Sequence, residues 1–214
     1  MTAVAVAIGF ASSAYAIPTI YISTTGLAGS YTAVASSASG VVNYIGSGGT
    51  WNLVVSTGLT APALGSAGVP TMDLNIQAST LTGGALWVAF AANGYTGLGS
   101  LGALLTGHIV SGAPETLGFV TFGDASNAQP TTTLPTGSPI TTLTGPLGLP
   151  LSGSGALPGS TPYTLGIVVS FSADGASANS IDASFSPVPD GGMTAMLLGA
   201  GLTGLFLMRK KLVA

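Results

Sequence analysis

Hydrophobic and polar residues alternate with a period of two over much of this chain. In Met72-Asp73-Leu74-Asn75-Ile76-Gln77-Ala78 the apolar side chains fall on one face and Asp73, Asn75 and Gln77 on the other, the pattern of a half-buried strand. Six further stretches predict strands: 40–45, 51–56, 86–91, 117–122, 165–171 and 181–185. They are rich in β-branched and aromatic residues and are separated by Gly, Asn and Ser turns such as Ser47-Gly48-Gly49 and Asn93-Gly94. This pattern predicts an all-β fold, an antiparallel β-sandwich of jelly-roll or Ig-like type, with no ordinary helix outside two terminal segments. The stretch 129–162 carries seven prolines, Pro130, Pro135, Pro139, Pro146, Pro150, Pro158 and Pro162. Proline supplies no ladder donor, so long loops with short edge strands are expected there. Leu134, Ile140, Leu143, Leu147, Leu149 and Leu151 make that stretch too apolar for a solvated spacer, and it is expected to cover an edge or an open face.

The ends read differently. The apolar run Met193–Met208 is followed by Arg209-Lys210-Lys211, which are the only basic residues among 214. Such cations resist translocation, so a spanning helix over 193–208 would leave the C-terminus in the cytoplasm and the body outside. Sixteen residues at ~1.5 Å rise reach ~24 Å, short of a ~30 Å hydrocarbon core. Gly199, Gly201 and Gly204 weaken the helix further, which suits a transient handle better than a permanent anchor. At the other end Ala3–Ala11 is apolar, and Ala14-Tyr15-Ala16 offers small residues for signal peptidase. Residues 1–16 are therefore expected to be a signal peptide cut before Ile17. No Lys or Arg follows Met1, so the segment reads either as a signal peptide whose true start lies upstream or as a buried apolar strand.

Between body and apolar run stands Val188-Pro189-Asp190-Gly191-Gly192. The order of short Pro-containing motif, hydrophobic helix and basic cluster resembles the PEP-CTERM sorting signal in its VPDGG-type variant, over about the last 27 residues. The commonest form has Glu-Pro where this chain has Asp-Gly-Gly. The resemblance implies an exosortase-type membrane protease as partner, transient residence in the inner membrane, and final placement at the cell surface or in an exopolysaccharide or biofilm matrix. It divides the chain into a signal peptide (1–16), an ectodomain (17–187) and a sorting tail (188–214). Residues 49–58 and 72–75 also resemble other exosortase-sorted β-proteins, a likeness that bears on fold alone.

Composition narrows the chemistry. Asp73, Glu115, Asp124, Asp174 and Asp182 are the only charged side chains between Ile17 and Pro189. Nucleic-acid binding needs clustered cations, so that class is excluded. With no cysteine there is no disulfide or thiol chemistry. His108, the single histidine, has no orienting carboxylate or nucleophile in its local sequence and reads as a surface or strand-edge residue. No motif for a catalytic serine elbow, a metal or a phosphate is present, so no catalytic residue, metal or cofactor is expected, and the chain is read as no enzyme. Asp73 with Asp124 or Asp182 offers a carboxyl pair of the kind a glycosidase uses, as any five carboxylates would. Asp124-Ala125-Ser126-Asn127 and Asp174-Gly175 have oxygens for calcium, but turns bonding their own backbone explain them more simply. Trp51, Trp87, Tyr44 and Tyr95 would serve a carbohydrate-binding face if exposed and the core if buried. The expected role is structural or adhesive, with a carbohydrate-binding module or a carboxylate-dependent glycan-active enzyme as alternatives.

Overall fold

The computed structural model describes residues 17–27, 29–112, 115–128, 139–146 and 150–188. Twelve strands are found among them. They are β1 (Thr19–Ser23), β2 (Thr32–Ser36), β3 (Val41–Gly48), β4 (Trp51–Leu59), β5 (Met72–Thr80) and β6 (Gly84–Tyr95), then β7 (Ser100–Gly112), β8 (Glu115–Asp124), β9 (Pro139–Pro146), β10 (Leu151–Ala156), β11 (Tyr163–Ala173) and β12 (Ser177–Val188). They form two six-stranded sheets, ordered β2-β1-β6-β11-β8-β9 and β10-β7-β12-β5-β4-β3. Every pairing is antiparallel.

All seven strands expected from periodicity are present, and β1, β2, β7, β9 and β10 are additional. β7 escapes a periodicity test because Gly102, Thr106, Gly107 and His108 interrupt its apolar positions. The sheet recovers it by pairing β7 with both β12 and β10. The proline-rich stretch forms edge strands, as its composition predicts: β9 closes one side of the first sheet and β10 the same side of the second.

The inner faces share one core. Ile20, Val88, Phe90, Phe119, Ile167, Val169 and Phe171 of the first sheet meet Trp51, Leu53, Met72, Leu74, Ile76, Ile181 and Phe185 of the second. Trp51 is fully buried, its ring 5.7 Å from that of Phe171. At one end Tyr95 and Tyr163 stack with centroids 6.2 Å apart. The Tyr95 hydroxyl meets that of Thr60, which donates to the Thr71 carbonyl at 3.0 Å, and Tyr163 donates to the Gly97 carbonyl at 2.5 Å. Burial pushes both phenols up to about 12, with the Thr60 contact opposing the rise at Tyr95.

The two outer faces differ. The first sheet carries a second apolar cluster there, Tyr21, Ala89, Ala91, Phe122 and Val168 with Tyr31, packed against Trp87 and Val120. The second sheet presents Asp73, Asn75, Gln77, Ser180, Asp182 and Ser184 on its outer face, because the residues between them point into the core.

Among the described residues no helix is long and apolar enough to cross a membrane. The expected signal segment with Ala14 and Ala16, the motif residues Pro189 to Gly192, the apolar run 193–208 and Arg209 to Lys211 lie outside the described residues.

Candidate functional site

The polar face of the second sheet brings together Asp73, Asp182 and His108. β5 and β12 run side by side with Asp182 opposite Asn75 and Ser184 opposite Asp73. This register sets Asp73 and Asp182 diagonally across neighbouring strands, within reach of one another. The Asp73 carboxyl is pushed up to about 6, first by partial burial, then by the charge of Asp182, then by a hydrogen bond to it. Among the described residues no cation stands nearby, since none exists before Arg209. One Asp182 oxygen, Oδ1, is buried without a hydrogen-bond partner. A protonated Asp73 is thus the form that relieves the pair. Beside it, Ser56 donates to Asn75 Oδ1 at 2.7 Å, which holds the amide against the sheet.

Further along β5 the same face opens into a shallow groove of about 390 Å³. Asn52 and Val54 come from β4, Gln77 and Ser79 from β5, Ala178 and Ser180 from β12, and His108 from β7. The β7–β12 register places His108 opposite Ser180 and Thr106 opposite Asp182. A serine, an imidazole and a carboxylate therefore share one face, an assembly no local motif announces, because the three lie on two strands about 70 residues apart. Among the described residues no hydrogen bond joins them, and the imidazole is exposed with nothing to orient it.

The other candidates are dispersed. Asp124 accepts from the Ser126 amide at 2.9 Å and the Ser126 hydroxyl at 2.6 Å, and Asn127, at φ 55°, accepts from the Gly94 amide at 2.6 Å. This is a turn bonding its own backbone and the end of β6. No group of three His, Asp or Glu side chains able to hold a metal is found among the described residues. The four aromatics do not gather into a strip. Trp51 and Tyr95 are core residues, Tyr44 packs against the core from β3, and Trp87 lies half-buried on the opposite sheet with Gly26 against its ring.

β12 positions the C-terminal end of the domain. It is a central strand, flanked by β7 and β5, and its last residue, Val188, pairs with Ser100. Val188 also opens the motif, so the first motif residue still belongs to β12.

Comparison with solved structures finds a loose likeness to the K1 cleaved adhesin domain of Lys-gingipain from Porphyromonas gingivalis W83. It is 10% identical, covers 70% of this chain and 99% of that one, and has a TM-score of 0.30. A second likeness is to a chain of the infectious bursal disease virus Gx strain, 12% identical over 85% of this chain and 64% of that one, with a TM-score of 0.21. Neither bears on function. Comparison with curated proteins gives no match. The family comparison matches residues 187–212 to the VPDSG-CTERM motif, a PEP-CTERM-like C-terminal sorting tail, which points to a secreted or cell-surface protein.

Proposed function

We propose that the chain is a non-catalytic surface or matrix protein, exported by residues 1–16, which signal peptidase cuts before Ile17, held briefly in the inner membrane by 193–208, and processed at its tail by an exosortase-type protease. The observation that carries this reading is the motif match at 187–212, beginning where β12 ends. A protease grips its substrate as an extended, unpaired segment. Val188 is engaged in the ladder with Ser100, so the bond cut lies beyond it, and the product keeps β12 and the core whole. Cutting upstream would require stripping a central strand from both neighbours.

A structural or adhesive role in exopolysaccharide is supported by the surface. With five acids and no cations before the tail, the body is solvated chiefly by hydroxyls, amides and backbone, a surface that hydrogen-bonds polyols without charge. The jelly-roll-like reading rests on the path β5, β6, β7, β8, which alternates between the sheets. The non-enzymatic reading is supported by His108, which no described residue orients, whereas the close Asp73 and Asp182 pair is the feature that favours the carboxylate-dependent alternative.

The test is the intact mass of the protein recovered from cell envelope and from medium. The expected species begins at Ile17 and ends between Val188 and Gly192. Retention of Arg209–Ala214 in every species would overturn the sorting reading.

A further inference from the structure

The two sheets guard their edges differently. In the first, β9 begins and ends on proline, at Pro139 and Pro146, and the opposite edge, β2, has five residues. Proline and shortness are both devices that blunt edge pairing. In the second sheet, β3 runs eight residues with no proline and no charged side chain. Its one irregularity is a register shift between Val42 and Tyr44, which leaves 44–48 in regular pairing with β4.

The turn after β3 settles which backbone groups face outward. Gly49, at φ +61°, and Thr50 form a two-residue hairpin turn closed by the pair Gly48 and Trp51. In such a hairpin the closing pair exchanges ladder bonds, and so do alternate pairs beyond it, here Gly46 with Leu53 and Tyr44 with Val55. The N–H and C=O groups of Ile45 and Ser47 therefore point away from β4. Both residues are exposed, and the Ile45 side chain, at 81%, is among the most exposed large apolar groups of the protein.

We infer that β3 is a self-association edge, along which two copies of this chain pair β3 to β3, antiparallel about a two-fold axis, and join their second sheets into one. The strand is self-complementary in that arrangement. With Gly46 facing Gly46 of the other copy, Ile45 stands opposite Ser47 and the outward groups of each meet those of the other. The two isoleucines become diagonal neighbours on the outer face and leave water together. No charge on either strand opposes the approach. This goes beyond the sorting reading and is independent of it, since a monomer could be sorted equally well.

The test is the mass of the full chain in detergent micelles, measured by light scattering over a hundredfold or so of dilution with the micelle contribution subtracted. The expected result is a dimer that dissociates on dilution. Ile45→Lys should raise the dissociation constant about tenfold or more, by placing two like charges across the pairing. Ser47→Pro should do the same by deleting an outward N–H that β4 does not use. Leu98→Lys, at an exposed residue in the loop that leads into β7, four strands from β3, should leave the dimer unchanged. A wild-type monomer at every concentration would overturn the inference. So would a dimer that survives Ile45→Lys, which would place the contact elsewhere, or one that Leu98→Lys also dissolves, which would make it a general charge effect. Unchanged far-ultraviolet circular dichroism confirms that each variant is folded.

Discussion

Replacing Asp73 with Asn should stabilise the domain at neutral pH and do little in acid. In the folded protein this carboxyl titrates near 6 against an ordinary value of 3.8. The folded state therefore holds its proton where the unfolded state has lost it, between about pH 3.8 and 6. In that window stability falls as pH rises, and above it the full penalty of an ionised pair is present. A rise of that size corresponds to about 3 kcal/mol at full strength. The carboxyl is partly exposed, so solvent screening reduces the expected effect to about 1–2 kcal/mol. Asn keeps the size and hydrogen-bonding capacity of the protonated acid and gives Asp182 a permanent donor. The assay is thermal unfolding at about pH 7.5 and about pH 4. Asp73→Asn should raise Tm by about 3–6 °C at the higher pH and leave it nearly unchanged at the lower. Because burial is the larger cause, salt should recover only part of the difference. An equal gain at both pH values, or a loss at both, would refute the carboxyl pair as its origin.

Gly107→Ala should cost about 2–4 kcal/mol, measured by denaturant unfolding, because φ is +141° and an added Cβ would stand 2.2 Å from the Ser180 carbonyl oxygen, prising β7 from β12. Trp51→Ala should cost about 3–5 kcal/mol by opening a cavity against Phe171, whereas Trp51→Phe should cost much less, since it also removes an indole N–H that has no partner. Tyr95 and Tyr163 should resist ionisation until about pH 12, followed by ultraviolet absorbance; as their folded values lie above the ordinary 10.0, the stability they contribute is lost as pH climbs from about 10 through 12. If both phenols titrate near 10 with the fold intact, their burial is wrong.

How much was legible in advance depends on how local the signal is. Alternation in 72–78 is a local property, because each side chain's face follows from its neighbours two residues away; the strand, its inward Leu74 and Ile76 and its outward Asp73 could be read directly. The same holds for the tail, where 188–192, an apolar run and three adjacent cations stand in one stretch and match a known sorting motif. β7 was not legible, since its glycines carry no period and only pairing with β12 and β10 makes it a strand. Trp51 and Trp87 look alike in sequence, each set among apolar residues, yet one fills the core between the sheets and the other lies on an outer face. The class of fold, the scarcity of charge over most of the body and the sorting tail can all be read along the chain, because composition, period and adjacency are local properties. That Asp73 meets Asp182, that His108 stands opposite Ser180 and that β3 ends its sheet follow instead from long-range pairing, because register between distant strands is set by how two whole sheets close over a shared core.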